Sequence, residues 1–132
     1  GFINQWIELD GYTYIFGIRD NPRMKEKVPE CLERVEDVSE CSVARDEALS
    51  KVAPWHNTPG IPDNVYFADL SDYFCDEERC YSVIGNIIVY RDDNHITTEY
   101  MKTLAPALKI PLQEAFDLLD SGTFEQHRKS GS

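Results

Sequence analysis

The sequence has few basic residues and no basic cluster. Among its 132 residues, 13 Lys and Arg stand against 24 Asp and Glu, which gives a formal net charge of −11. The densest basic stretch, Lys25 to Lys27, is interrupted by Glu26. Because a negative surface repels a phosphate backbone, the composition excludes a protein that tracks nucleic acid by charge, and we expect no nucleic-acid partner.

Long hydrophobic runs and glycine-rich phosphate loops are also missing. The longest apolar stretch, Val83 to Tyr90, is far shorter than the roughly 20 residues that cross a bilayer. Asn4, Glu8 and Asp10 interrupt any signal-peptide core near the first residue, so for a secreted protein the targeting information would lie outside this chain. No phosphate-binding glycine loop occurs in the sequence. We expect no cofactor.

What the sequence does contain is enough apolar material for one modest domain. Hydrophobic residues make up 42% and aromatic residues 11% of the chain, which argues against intrinsic disorder. We assign the ordered domain to residues 1–122 and expect residues 123–132 to be a disordered tail.

The four cysteines form two local pairs, Cys31 with Cys41 and Cys75 with Cys80. Three connectivities are open, and we favour the two local disulfides, which would indicate an oxidising compartment. A zinc site is the rival interpretation, because Cys75 and Cys80 approach ligand spacing. The residues between them do not form the tight knuckle of such sites, so we expect disulfides and no metal.

Three apolar segments predict strands: Tyr12 to Ile18, Asn64 to Leu70, and Val83 to Tyr90. The last is a third strand or a hairpin arm, with Gly85-Asn86 as a tight turn. The segments between them are too long for hairpins, which favours crossover connections and a parallel sheet in an α/β fold. Because three strands make a thin sheet, we expect the chain to be part of a larger α/β domain.

The helices are predicted from caps and apolar spacing. Ser42 can cap a helix that continues to about Val52, and Thr97 one that continues to about Leu104. Pro106 should kink or end the second helix, and Pro111 can begin a last one. The charged stretch 25–40 is predicted to be an irregular loop with about one helical turn.

One short pattern can carry chemistry, the Asp92 and His95 pair directly after the third apolar segment. A carboxylate that accepts from imidazole Nδ1–H leaves Nε2 as a general base, which suits acyl transfer. His56 and His127 have no acidic neighbour at a comparable spacing. Asp92 with Asp93 is a weaker candidate for a cation site, since no regular Asp/Asn/Gly loop accompanies it.

An ordered set of motifs surrounds this pair. A strand ends in the turn Arg19 to Arg23 and is followed by Val28 to Cys31; later come Cys75 to Cys80 and then Val89 to Thr97 with its Asp-x-x-His. Across roughly residues 12 to 110, this order resembles the C-terminal end of an SGNH hydrolase domain. More narrowly, it resembles the SGNH domains fused to acyltransferase-3 membrane proteins of bacterial envelopes.

The resemblance implies a three-layer α/β sandwich with a parallel sheet that here lacks its N-terminal strand or strands. It implies an O-acyltransferase or esterase that moves or hydrolyses acyl groups, usually acetyl, on cell-envelope carbohydrate or glycolipid. Asp92 would orient His95, and His95 would activate a serine nucleophile. The domain would be extracytoplasmic and tethered to the bacterial cytoplasmic membrane, with an acyltransferase-3 module, the rest of the SGNH domain and a glycan acceptor as its partners.

The sequence departs from this family in two respects: it contains no Gly-Asp-Ser tripeptide, and the glycine and asparagine expected to help form the oxyanion hole have no recognisable counterparts. None of the serines at positions 39, 42, 50, 71 and 82 follows a buried strand in a tight turn. The chain is then either the C-terminal part of a longer or cleaved enzyme, whose nucleophile lies on a preceding segment, or a degenerate relative without catalysis. We expect the first, since the missing portion would also contain the missing first strand.

Other roles for these residues stay open. Arg19 and Arg23 are candidates for substrate binding, and a structural salt bridge is the competing interpretation for both. The alternative function is a non-catalytic, extracytoplasmic carbohydrate-binding or accessory domain, in which Trp6, Trp55, Tyr90 and Tyr100 stack on sugar rings.

Overall fold

A computed structural model of the chain describes residue 4, residues 14–62 and residues 64–121. The chain forms two compact units. The first comprises residues 1–19, 52–69 and 108–132, and the second comprises residues 20–51 and 70–107. The predicted tail at 123–132, the first residues of the predicted strand from Tyr12, Trp6 and His127 lie outside the described residues.

Within residues 14–62 and 64–121, the secondary structure consists of short strands, two short helices and one long helix. The strands are β1 Ile15–Ile18, β2 Val43–Ala44, β3 Val65–Ala68, β4 Arg79–Cys80, β5 Val83–Ile84 and β6 Ile87–Ile88. The α-helices are α1 Val28–Arg34, α2 Arg45–Ala48 and α3 Thr98–Ser121, and 3₁₀ turns occupy Val38–Cys41, Pro54–Asn57 and Ser71–Tyr73.

The first unit contains a two-stranded parallel sheet. β1 pairs with β3 from Ile15 opposite Val65 to Ile18 opposite Ala68. Two of the predicted strands and their parallel pairing are therefore confirmed. The chain is a mixture of helix and strand with a small parallel sheet, which is compatible with an α/β fold; the three-layer sandwich stays a prediction.

Aromatic rings pack against this sheet within the first unit. Phe16 stacks on Tyr66 with ring centroids 5.7 Å apart, and Trp55 stacks on Phe67 at 4.6 Å. The Tyr66 hydroxyl donates to Glu114 Oε2 at 2.9 Å. Burial, together with this hydrogen bond to a carboxylate, raises the pKa of Tyr66 to about 12.

The third apolar segment is a hairpin in the second unit rather than a third parallel strand. β5 and β6 pair antiparallel, with Val83 opposite Ile88. Gly85 and Asn86 form the turn, with φ of 58° and 63°. A two-residue turn with both residues at positive φ matches the twist of the two strands, so the hairpin alternative is confirmed and the parallel one is wrong.

The predicted helix from Ser42 to Val52 is largely wrong. Val43 and Ala44 pair antiparallel with β4, and only Arg45–Ala48 is helical. The Ser42 hydroxyl does not cap a helix but donates to the Ser39 carbonyl at 2.6 Å. In the stretch 25–40, α1 is longer than the single turn expected, because its proline lies at the start of the helix, where a missing N–H costs no hydrogen bond.

The long helix α3 begins as predicted but does not end at Pro106. Thr97 Oγ1 accepts the N–H of Tyr100 at 3.2 Å, which confirms the cap. The helix instead continues through Pro106 and Pro111, so the predicted end near Leu104 and the separate last helix from Pro111 are wrong. An interior proline lacks one N–H donor and crowds the preceding turn, and this helix tolerates both effects. Residues 98–107 belong to the second unit and residues 108–121 to the first.

The second unit is built around an apolar core and both disulfides. Val89 and Tyr90 are fully buried, and the rings of Phe74 and Tyr100 pack 5.5 Å apart in the same cluster. Cys31 is bonded to Cys41 and Cys75 to Cys80, so both local pairings are confirmed and the zinc alternative is wrong. Among the described residues, no helix is both long and apolar enough to span a bilayer.

Candidate active site

The Asp92 and His95 pair lies in a loop of the second unit, and backbone hydrogen bonds join the two ends of this loop. Tyr90 and Ile96 form an antiparallel bridge, and the Thr97 N–H donates to the Val89 carbonyl at 2.8 Å. The Arg91 N–H closes the loop on the His95 carbonyl at 2.9 Å. Because Val89 and Tyr90 are fully buried, the loop is anchored on the core of this unit.

One carboxylate organises the interior of the loop. Asp92 Oδ1 accepts the N–H of Asn94 at 2.9 Å and the N–H of His95 at 2.7 Å. Its other oxygen, Oδ2, lies 2.6 Å from His95 Nδ1. The predicted pairing of Asp92 with His95 is thus formed, and the same residue fixes both the backbone and the ring.

The electrostatics determine which imidazole nitrogen carries the proton. The N–H groups of Asn94 and His95, with a smaller contribution from the imidazole, lower the pKa of Asp92 to about 2. An ionised carboxylate only accepts hydrogen bonds, so Nδ1 must be the donor in the neutral ring. Nε2 then holds the free lone pair.

The ring is open to solvent on its other side. The side chain of His95 is 59% exposed and that of Asp92 is 32% exposed. Among the residues that the structure describes, none is hydrogen-bonded to Nε2. An oriented imidazole with an accessible basic nitrogen can remove a proton from a hydroxyl group and return it to a leaving group.

Arg23 lies beside this pair. Arg23 Nη1 is 3.4 Å from Asp93 Oδ2, and its side chain is 67% exposed. The Asn94 amide, in the orientation that satisfies its neighbours, accepts from Arg23 Nη2 at 3.0 Å and donates to Asp93 Oδ1 at 3.0 Å. Its nitrogen is also 3.2 Å from His95 Nδ1, but the shorter contact with a charged oxygen is the stronger one, so Asp92 determines the tautomer.

Arg19 belongs to the first unit and has a different environment. Its guanidinium donates to Asp69 Oδ2 at 2.9 Å, and its side chain is only 7% exposed. The structure therefore places Arg23 next to the candidate pair and Arg19 in a shielded ion pair. Substrate binding by either arginine stays a prediction.

The serines and the candidate sugar-stacking aromatics can be placed as well. The serine hydroxyls at 39, 42 and 82 hydrogen-bond to Asp37, to the Ser39 carbonyl and to the Cys41 carbonyl. No serine in the described ranges is hydrogen-bonded to His95. Tyr90 and Tyr100 are buried and thus unavailable for stacking on a ligand.

Apart from Arg23, sequence reasoning missed the segment 21–28 as part of the site. The Asn21 amide nitrogen donates to the Asn94 carbonyl at 2.7 Å. The N–H groups of Met24 and Val28 donate to the carbonyls of Asp93 and Asp92 at 2.8 and 3.1 Å. Asn21-Pro22 marks a turn, and the turn belongs to the motifs that resemble the family, but neither signal reveals which residues the segment contacts.

Comparison with known proteins identifies the family. A family model described as the SGNH domain fused to AT3 domains matches residues 5–109. No curated protein and no solved structure shows a significant match to the chain. The matched range contains all of the motifs that resemble this family, including Asp92 and His95. The chain therefore belongs to the family of SGNH domains fused to AT3 domains, a family of acyl esterases and acyltransferases.

Proposed function

We propose that this chain supplies the Asp-His part of a Ser-His-Asp O-acyl esterase or acyltransferase. Its substrate would be an acyl group, most simply acetyl, on the carbohydrate or glycolipid of a bacterial cell envelope. The observation that carries the proposal is the 2.6 Å contact between Asp92 Oδ2 and His95 Nδ1 on an exposed imidazole. Membership of the SGNH family supports the same reaction class.

In the proposed mechanism, His95 Nε2 removes the proton of a serine hydroxyl as the serine oxygen attacks the acyl carbonyl. The imidazolium is stabilised by Asp92, which stays ionised. His95 then returns the proton to the departing alcohol oxygen, which leaves an acyl-serine. Water releases the acyl group in an esterase, whereas a sugar hydroxyl accepts it in a transferase, and His95 acts as the base again in either case.

The serine and the oxyanion donors are assigned to polypeptide outside these 132 residues, because no Gly-Asp-Ser tripeptide occurs in the sequence. By itself the chain would lack the groups that stabilise the developing oxyanion and would be catalytically incomplete. The AT3 domain named in the family description would be the membrane module that supplies the acyl group. The two disulfides support an extracytoplasmic location for the domain.

The experiment compares His95→Ala with His56→Ala in the full-length protein that carries both the AT3 and SGNH domains. His56 is an exposed histidine of the Pro54–Asn57 turn in the first unit and serves as the matched control. We expect His95→Ala to lower kcat/KM for p-nitrophenyl acetate by about 10³-fold or more, and His56→Ala to leave it unchanged. Equal activity of His95→Ala and wild type would exclude the proposed role of the pair.

A further inference from the structure

The segment 21–28 donates hydrogen bonds to three successive carbonyl groups of the loop that contains Asp92 and His95. Val28 N–H, Met24 N–H and the Asn21 amide donate to the carbonyls of Asp92, Asp93 and Asn94, at 3.1, 2.8 and 2.7 Å. The order of the donors runs opposite to the order of the acceptors. The segment 21–28, which we call the cradle, thus runs antiparallel to the loop.

The Asn21 contact differs from the other two because a side chain makes it. Met24 and Val28 donate from the backbone, and both are buried in the core cluster of the second unit. Asn21 is half-buried, and its amide nitrogen donates to the carbonyls of Asn94 and Pro22, the second at 3.1 Å. It is therefore the contact in this cradle that a single substitution can remove.

This contact acts on the peptide group directly before the histidine. The N–H of His95 is held by Asp92 Oδ1 at 2.7 Å, and the carbonyl of the same peptide group, on Asn94, is held by Asn21 at 2.7 Å. A peptide group is planar, so hydrogen bonds on its opposite sides fix its rotation. That rotation sets the direction in which the His95 side chain leaves the backbone.

The residues next to Asn21 in the sequence are held in place. Pro22 is fully buried, and the Arg23 N–H donates to the Ala48 carbonyl at 3.1 Å. The Asn21 N–H is itself held by Asp20 Oδ1 at 3.1 Å. The neighbours of Asn21 on both sides in sequence therefore hold its backbone in place, so that its side-chain amide has a fixed position relative to the loop.

We propose that Asn21 is a positioning residue, which locks the Asn94–His95 peptide group and so holds the imidazole on Asp92. The proposal rests on the proposed function in one respect, that the positioned group is the base of the reaction. The proposal also gives a role to the Arg19 to Arg23 turn, whose presence is explained neither by the disulfides nor by the Asp-x-x-His pattern.

The test uses Asn21→Asp, which keeps the shape of the side chain and removes both donors, and Asn21→Ala, which removes them without adding charge. Asn86→Asp, the same change at the exposed tip of the β5–β6 hairpin, is the matched control. Two quantities are measured by NMR in the folded chain: the exchange rate of the His95 amide N–H, and the ¹⁵N shifts of its ring nitrogens.

We expect both Asn21 variants to accelerate exchange of the His95 N–H by about tenfold and to reduce the Nδ1–H population, whereas Asn86→Asp changes neither. In the full-length enzyme, Asn21→Ala should lower kcat by about tenfold with KM unchanged, because substrate contacts remain. A general loss of stability would instead accelerate exchange throughout the second unit.

Unchanged exchange and ring shifts in folded Asn21 variants would overturn the positioning role, even if His95→Ala abolishes activity. Conversely, if the His95 N–H exchanges faster in the Asn21 variants but the His95→Ala enzyme is active, the positioning role of Asn21 is supported and the proposed function is rejected. If Asn21→Asp and Asn21→Ala do not fold, Asn21→Ser is measured in the same way, and unchanged exchange there overturns the proposal.

Discussion

Replacement of Asp92 by Asn separates the two tasks of this carboxylate. The side-chain oxygen of Asn can still accept the N–H groups of Asn94 and His95, as Oδ1 does now at 2.9 and 2.7 Å. The amide nitrogen takes the place of Oδ2, 2.6 Å from His95 Nδ1. Because that nitrogen only donates, Nδ1 must accept, and the ring proton moves to Nε2.

The size of the effect follows from the geometry. In the wild type, a short hydrogen bond to an ionised oxygen, moderated by the exposure of the ring, favours the Nδ1–H tautomer by about tenfold. In Asp92→Asn the preference reverses, and the lone pair that should receive the serine proton is lost. We expect kcat/KM of the full-length enzyme to fall by about 10³- to 10⁴-fold, while the loop keeps its backbone hydrogen bonds and the chain its fold.

The assay has a structural arm and a kinetic arm. In the isolated chain above the titration range of histidine, ¹⁵N NMR should show a protonated Nδ1 in the wild type and a protonated Nε2 in Asp92→Asn. Asp93→Asn is the matched control, since it makes the same chemical change one residue away and weakens the contacts of Asp93 with Arg23 and with the Asn94 amide, while Asp92 Oδ2 stays on His95 Nδ1. A wild-type ring protonated on Nε2, or equal activity of Asp92→Asn and Asp93→Asn, would refute the reasoning.

Two further predictions concern stability. A Cβ atom added to Gly17 would lie 2.9 Å from Phe67 Cδ1, so Gly17→Ala should lower the free energy of unfolding by about 1–3 kcal/mol in urea titrations, and an unchanged midpoint would contradict this packing. The Tyr81 hydroxyl and two backbone N–H groups lower the pKa of Asp76, as backbone N–H groups lower that of Asp92 to about 2. Both carboxylates therefore stabilise the fold above about pH 4, the usual pKa of an aspartate, and this contribution is lost as the pH falls below that value and each group becomes protonated. Tm should drop as the pH is lowered through this range, and less steeply in Asp76→Asn, whereas parallel profiles would reject the assignment.

Features that depend on a few neighbouring residues could be predicted from the sequence. The apolar runs identified β1 and β3, because the local side chains favour an extended backbone. Gly85-Asn86 identified a turn, because these two residue types adopt positive φ more readily than others. The cysteine spacing predicted both disulfides, since residues five and ten apart are held close by the chain itself. The Asp92–His95 contact belongs to the same class, because three residues of tight loop bring the two side chains together.

Features that depend on distant partners were decided by the tertiary structure. The apolar spacing after Ser42 is compatible both with a helix and with a strand. Val43 and Ala44 form a strand because they pair with β4, which is distant in sequence. Asn21 and Asn94 are 73 positions apart, so nothing local to either residue reveals their hydrogen bond. The sequence by itself determined the candidate catalytic pair, Asp92 and His95, and the contact between these two neighbouring residues. The fold determined what holds them in place, because those hydrogen bonds exist only after distant segments have been buried side by side.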